Sequence, residues 1–204
     1  MSKISVVIPT MWKSDKLETL LNNLQKCDRI GEILIIDNDY SHKNINIDNY
    51  DKIIYLKMVE NIYVNPAWNL GVSKSNFEIV VLLNDDILFD VNFFNQLNVA
   101  DETIIGVAEQ SYKDPNDNNF RLEETDDRNW GFGCMIIFNK KYYVQIPEEL
   151  KIWCGDDYLF KKFKNKSIIK GVYFDTTMSI TSDLPIFNEV KSNDEILYKS
   201  KYSI

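Results

Sequence analysis

The run Phe77-Glu78-Ile79-Val80-Val81-Leu82-Leu83 ends abruptly on Asn84-Asp85-Asp86. An apolar strand that stops on two carboxylates and an amide sets hard oxygen donors at the carboxyl end of a sheet. Open α/β sheets bind their ligands at that edge. Such donors suit Mg²⁺ or Mn²⁺, and an ion held by only one or two carboxylates shares its shell with a substrate's phosphates. Taken alone the triplet reads first as a polar turn, because Asn and Asp are favoured turn formers. Two further clusters shift the balance. Asp37-Asn38-Asp39 closes a second apolar run, Glu32 to Ile36, and Asp156-Asp157 follows Trp153-Cys154-Gly155 at the start of a helical stretch.

Positioning those clusters requires strands that share an edge. Ile4 to Ile8, closed by Pro9-Thr10, is a β-branched run that predicts a buried strand. Ser14 or Asp15 can cap a helix carrying Leu17, Leu20, Leu21 and Leu24 on one face. Glu32 to Ile36 and Ile53 to Leu56 are the next strands. Asn65-Pro66 then reads as N-cap and first residue of a helix through Ala67, Trp68, Leu70 and Val72. Strands alternating with helices predict an α/β domain with a mainly parallel sheet covered on both faces. The second half is less regular. Strands are expected at Ile104 to Ala108, Phe132 to Phe138 and Ile168 to Phe174, short helices at Lys140 to Gln145 and from Tyr158, and a helical tail from Pro185. Lys113 to Asn129 has no hydrophobic period and reads as a long loop, expected to act as a mobile lid.

Composition narrows the classes. The chain has 204 residues, 45% hydrophobic and 26% charged, with 7 Gly and 5 Pro, which suits one globular domain. A net charge of -8 argues against binding nucleic acid through a basic surface. Lys161, Lys162, Lys164, Lys166 and Lys170 read as a solvated helix face and the turn after it. Cys27, Cys134 and Cys154 have no paired spacing, so a reducing, cytoplasmic setting is expected. No stretch has the length of an integral membrane segment. Asn-, Ile- and Lys-rich usage points to an AT-rich genome, that of a microbe or a large DNA virus.

Four features stand in order: Val6-Val7-Ile8-Pro9-Thr10, Ile35-Ile36-Asp37-Asn38-Asp39, the segment Glu60 to Gly71 with Asn61, Asn65 and Asn69, and Leu82-Leu83-Asn84-Asp85-Asp86. Trp130-Gly131-Phe132-Gly133-Cys134-Met135 then precedes Gly155-Asp156-Asp157-Tyr158-Leu159. The series resembles the GT-A glycosyltransferases, especially the inverting family 2 and its rhamnosyltransferase-like members. It spans residues 3 to 165, and the order and spacing carry it rather than any one motif. The resemblance implies a single GT-A domain over residues 1–204, with a Rossmann-like nucleotide-sugar-binding half (1–100) and an acceptor-binding half (101–204). By position, Pro9 and Thr10 would line the base pocket, and Asp37 would accept the imide N–H of uracil or thymine. Asn61 and Asn69 would approach the nucleotide-sugar. Asn84, Asp85 and Asp86 fall on the metal-and-ribose motif, with Asp86 the direct metal ligand and Asp85 on ribose or a metal-bound water. Gly131, Phe132 and Gly133 would form the acceptor-side loop. Asp156-Asp157 matches the acidic pair that supplies the base, Asp157 by alignment and Asp156 as its close competitor. Relatives often carry a metal-binding His after the last strand. Here that region reads Phe174 to Ser179, with Asp175 or water as the replacement, and the one histidine, His42, falls in the loop after the second strand.

The implied reaction is inverting transfer of a sugar from a UDP- or dTDP-sugar to a hydroxyl of a glycan acceptor, assisted by Mn²⁺ or Mg²⁺. It passes through an oxocarbenium-like transition state with charge gathering on the leaving diphosphate. A general base is needed for the acceptor hydroxyl, and a carboxylate at a helix start meets that need. Asp156 has a second reading as a simple N-cap and Asp37 as a turn former. Trp130 and Trp153 flank irregular segments where an indole face can stack on a sugar, whereas Trp68 reads as core. A nucleotidyltransferase would need a Gly-rich basic loop after the first strand, and Pro9-Thr10-Met11-Trp12-Lys13-Ser14 is not one. A dinucleotide-binding enzyme is disfavoured because no G-x-G-x-x-G follows it. A non-catalytic nucleotide-sugar- or glycan-binding module on the same fold is the remaining alternative.

Overall fold

The computed structural model describes residues 2–39, 50–178 and 180–203; His42 lies outside them. In chain order these residues form β1 (Ile4–Thr10), α1 (Leu17–Lys26), β2 (Ile30–Asp37), β3 (Ile53–Lys57), α2 (Val64–Lys74), β4 (Ile79–Leu83) and β5 (Ile87–Phe89). Then follow β6 (Thr103–Val107), β7 (Arg121–Glu124), β8 (Met135–Asn139), α3 (Gly155–Lys162), β9 (Asn165–Lys170), β10 (Phe174–Thr176) and α4 (Asn188–Lys201), with short 3-10 turns between several of them. Eight strands make one sheet in the order β3-β2-β1-β4-β8-β6-β9-β7. The pairs β1–β2, β1–β4, β2–β3 and β6–β9 are parallel. β8 runs antiparallel between β4 and β6, and β7 lies antiparallel on β9. This is the expected α/β architecture, a mainly parallel sheet between helical layers.

The apolar runs are continuous because both faces of the sheet are buried. Within β1 the alternation sends Val6 and Ile8 to one core and Val7 to the other. The first core takes Leu17, Leu20, Leu21 and Leu24 of α1 together with Phe89, Phe93, Phe94 and Phe174. The second takes Ala67, Trp68 and Val72 of α2, Leu159 and Phe160 of α3, and Tyr198 of α4. β5 and β10 form a separate antiparallel pair, with Ile87 opposite Thr176 and Phe89 opposite Phe174. That small ribbon matters for the site. It fixes the backbone just after Asp86 and brings Thr176 beside it.

Several boundaries differ from the sequence expectation, each for a local reason. Neither Ser14 nor Asp15 caps α1: Lys16 is the flanking residue, and the Ser14 hydroxyl accepts from the Lys16 N–H in a turn before the helix. α2 begins at Val64, so Asn65 lies inside it and not at its cap. Its buried side chain donates to the Trp153 carbonyl (3.1 Å), while its N–H donates to the Lys151 carbonyl (2.9 Å). The expected strand at 132–138 starts only at Met135, after a 3-10 turn over Phe132–Cys134, and the helix expected from Lys140 is one such turn, Lys140–Tyr142. The strand expected at 168–174 divides at Gly171. Its φ of +70° turns the chain, and a Cβ there would sit 1.9 Å from the Asn119 carbonyl oxygen.

The polar stretch 113–129 is not a structureless loop. Its centre is edge strand β7, paired with β9 and pinned by Glu123 to Lys170 and by Arg121 to Asp117 and Glu123. Phe120 and Leu122 pack on the first core. An edge strand with one solvated face needs few apolar residues, so it left no hydrophobic run to read.

Candidate active site

The carboxyl ends of β1 and β4 open into a cleft of about 310 Å³. Its walls bring together Pro9, Thr10, Asn61, Asn84, Asp85, Asp86, Trp130, Gly131, Gly133, Trp153, Asp156 and Asp157. Those residues span the chain from the first strand to α3, and the sequence had singled out every one of them.

Asp85 and Asp86 leave β4 at the sheet edge. The Thr10 hydroxyl, at the end of neighbouring β1, donates to Asp85 Oδ2 (2.5 Å) and itself accepts the Trp12 N–H (2.9 Å). Burial pushes the Asp85 carboxyl up to about 6, against the Thr10 hydrogen bond and with the help of the adjacent Asp86 charge. Asp86 is 4% exposed, a buried carboxylate and not a group on an open edge. Burial raises its pKa too, opposed by the Ile180 backbone N–H and the Thr176 hydroxyl (3.5 Å). Neither carboxylate has an ion pair among the described residues. Two adjacent carboxylates, Asp86 buried and Asp85 partly so, with only the more distant Lys16 charge to offset Asp86, fit a divalent ion, which would relieve both penalties at once. No group of three or more His, Cys, Asp or Glu gathers among the described residues. Phosphate oxygens and water would complete such a shell. Asp175, the sequence candidate for an additional ligand, points elsewhere and pairs with Lys16 at 2.6 Å.

Asp156 and Asp157 stand in the first turn of α3, whose dipole favours their charge. Cys154, in the left-handed region with φ 59°, flanks the helix start, so Asp156 is not the N-cap. Asp156 packs against Gly133: a Cβ there would lie 2.6 Å from Asp156 Oδ2. Gly133→Ala is therefore expected to displace the carboxylate and reduce turnover without removing any functional group. Unchanged kinetics in that variant would show that Asp156 need not sit where it does. Burial raises the pKa of Asp156, the Arg128 charge opposes this, and Asp157 adds to the rise.

Two expected nucleotide residues lie elsewhere. Asp37, at the end of β2, is fully buried and does not line the cleft. Its carboxylate accepts from Trp12 Nε1 (2.8 Å), the Asp39 N–H (3.0 Å) and the Tyr55 hydroxyl, which leaves no exposed oxygen for a base. Asn38 lines the cleft in its place and accepts the Ile62 N–H. Asn69 faces the other side of α2. Its amide donates to the Ile146 carbonyl (2.8 Å) and accepts from the Ile146 N–H (3.0 Å) and the Tyr143 hydroxyl (2.6 Å), so it clamps a loop. Phe132 is wholly buried and belongs to the core. None of the five clustered lysines reaches the cleft.

Sequence reading missed three parts of the site. Trp68 is buried as expected, yet it also lines the cleft. Arg128 does so too, beside Asp156 and Asp157. The third part comes from residues 178–187, where Met178, Ile180 and Phe187 form a wall. Beyond that wall α4 sends the buried Asp194 under the loop before α3. Its carboxylate accepts the N–H groups of Lys151 (3.0 Å), Ile152 (2.7 Å) and Trp153 (2.8 Å). Losing this acceptor would strand three backbone donors. Asp194→Ala is expected to cost about 3 kcal/mol or more of stability and to loosen Trp153. Chemical denaturation and Trp fluorescence would check both, and a near-neutral variant would contradict the clamp.

Trp130 and Trp153 stand at the rim, 56% and 42% exposed. Trp130 meets Tyr112 edge-on at 5.5 Å, and the Tyr112 hydroxyl donates to the Gly131 carbonyl (2.8 Å). The Lys191 ammonium lies 5.3 Å from the Trp153 ring centre.

No family model matches the sequence, and no curated protein matches it. Solved structures do match in shape. S. aureus TarS residues 1–349 superposes with a TM-score of 0.61 at 16% identity, over 81% of this chain and 57% of that one. Its complex with UDP-GlcNAc gives 0.59 at 14% identity, over 81% and 55%. GalNAc-T7 with UDP, GalNAc and Mn²⁺ gives 0.65 at 11% identity, over 86% and 43%. The chain thus spans little more than half of the TarS fragment and less than half of GalNAc-T7. With its mainly parallel sheet, two helical layers and acidic residues at the β4 edge, the chain has the GT-A glycosyltransferase fold.

Proposed function

We propose that the chain is an inverting glycosyltransferase that moves a sugar from a UDP- or dTDP-sugar to a hydroxyl of a glycan acceptor. One observation carries the reading: a single cleft holds two carboxylate pairs in different settings, Asp85/Asp86 on the sheet edge and Asp156/Asp157 on a helix start. Similarity in fold to TarS, solved with UDP and UDP-GlcNAc, and to GalNAc-T7, solved with UDP, GalNAc and Mn²⁺, supports a nucleotide-sugar donor. No described helix is long and apolar enough to cross a membrane.

Each pair has its task. Asp86, with Asp85 behind it, would hold Mn²⁺ or Mg²⁺, and the bound ion would neutralise charge gathering on the departing diphosphate. Thr10 orients Asp85 through its hydroxyl. Pro9, Asn38 and Asn61 border the donor end, while Trp130 and Trp153 offer faces to the sugars. The acceptor hydroxyl attacks the anomeric carbon from the side opposite the leaving group, and its proton passes to a carboxylate of the Asp156/Asp157 pair. Asp156 is the better acceptor. Arg128 occupies both oxygens of Asp157 (2.5 and 3.2 Å) but meets Asp156 through one contact of 3.3 Å. Burial also raises the pKa of Asp156, since it disfavours the charged form, and that makes it a better proton acceptor than an ordinary carboxylate.

A thermal-shift panel of UDP, dTDP, GDP and their sugars, with and without Mn²⁺, tests the reading. Ligand at about 100 times its Kd stabilises by about 2.7 kcal/mol. UDP or dTDP compounds should raise Tm, and Mn²⁺ should enlarge the shift. No shift with any nucleotide would overturn the proposal. Binding without turnover would select the non-catalytic module.

A further inference from the structure

Arg128 lies in the polar stretch after β7, where the sequence offered no role for it. Among the described residues it is the only Lys or Arg that lines the cleft. Its Nε and Nη2 donate to the two oxygens of Asp157 at 2.5 and 3.2 Å, a planar fork on a carboxylate, and its Nη1 lies 3.3 Å from Asp156 Oδ2. Its side chain is only 30% exposed, so solvent screens these contacts weakly. Without it, two neighbouring, partly buried carboxylates would share a site with no counter-charge among the described residues, which favours proton uptake by the pair.

We propose that Arg128 is the positioning residue of the acidic pair: it fixes Asp157 as an anchor through a two-point fork and favours the charged form of Asp156 through a single contact. The inference rests on the glycosyltransferase reading for its purpose, though not for its physical content. Every element packed around Asp156 supports it. Gly133 fills one side and carries no side chain, hence no charge, to set against the carboxylate. Cys134 from the preceding 3-10 turn, Cys154 at the start of α3 and Tyr198 from α4 also face the acidic pair. Burial raises each of the three to about 12, so they are neutral near pH 7. Asp157 adds negative charge. Among the described residues, Arg128 supplies the positive charge that opposes the burial of Asp156. The sign follows: removing it should move proton uptake by the pair to higher pH, and the pair titrates as a unit.

The test is an NMR titration of the whole chain labelled with carboxyl-¹³C aspartate, for the wild type, Arg128→Gln, Arg128→Lys and Asp157→Asn. The upper apparent pKa of the pair is expected to rise by about one pH unit or more in Arg128→Gln. Arg128→Lys keeps the charge, loses the fork, and should restore most of the titration. Asp157→Asn removes the like charge and frees Arg128, so Asp156 should titrate lower. A folded Arg128→Gln protein with the wild-type titration would overturn the proposal. If that variant fails to fold, an unchanged Asp156 titration in Asp157→Asn would do the same. Turnover, measured as UDP release from UDP-GlcNAc with Mn²⁺, gives the functional arm. The acid limb of kcat should shift upward with the titration in Arg128→Gln, while the donor KM stays within about threefold. A kcat loss with an unshifted acid limb would assign Arg128 a merely structural role. Shifted titrations with no turnover in the wild type would leave the role of Arg128 standing and remove the enzyme reading.

Discussion

Asp86→Asn is expected to abolish Mn²⁺-dependent nucleotide binding and to reduce transfer to near background, while the metal-free protein melts no lower than wild type. The first half follows from the donor set, since among the described residues Asp85 and Asp86 offer the charged oxygens at the sheet edge of the cleft. The second half follows from burial. The pKa of Asp86 is raised, so the fold binds its proton more tightly than the unfolded chain does. The charged form therefore lowers stability above the unfolded pKa, near 3.9, and a neutral isostere relieves that cost at pH 7. The two halves together separate loss of a ligand from loss of the fold. Calorimetric titration with UDP in the presence of Mn²⁺ reads the first and thermal melting in chelator reads the second. A variant that keeps Mn²⁺-dependent affinity would remove Asp86 from the metal site. One that melts far below wild type would show that the carboxylate is structural.

Asp156→Asn should be the most damaging change on the acceptor side. It preserves volume and removes proton acceptance alone, a contribution of about 10²–10⁴ in rate. Donor affinity should hold, so the loss falls on kcat and not on binding. Asp157→Asn breaks the Arg128 fork and should cost less, about tenfold on the scale of one positioning hydrogen bond to a charged group. Single-turnover assays of both variants with one donor decide between them. If Asp157→Asn is inert and Asp156→Asn retains activity, Arg128 covers the true base and must leave it when the acceptor binds.

The sheet was legible because its signal is local. Apolar runs such as Ile4–Ile8 and Ile79–Leu83 must be strands buried on both faces, and their polar ends must share an edge. The acidic clusters at residues 84–86 and 156–157 were legible for the same reason, since each ends or begins a regular element. What escaped depends on partners distant in sequence. Asp37 looks like an exposed turn residue until Trp12 and Tyr55 close over it from 25 and 18 residues away. Asn69 carries the right residue type in a plausible motif, but its direction from α2 sends it to Ile146. Arg128 is one charge in a polar stretch, and only folding sets it 29 residues downstream on Asp157. Asp194 was invisible in the same way, since the three N–H groups it accepts lie more than 40 residues earlier.

A glycosyltransferase cleft must break the bond between a sugar and its nucleotide. The decisive measurement is release of nucleoside diphosphate from UDP- and dTDP-sugars by the purified chain, followed with Mn²⁺, with Mg²⁺ and with chelator, using water or added oligosaccharide as acceptor. Release is expected with one nucleotide series, dependent on the divalent ion, faster with an oligosaccharide, and lost in both Asp86→Asn and Asp156→Asn. Release that persists in chelator and in both variants, or none from any nucleotide-sugar that binds, would contradict the glycosyltransferase reading.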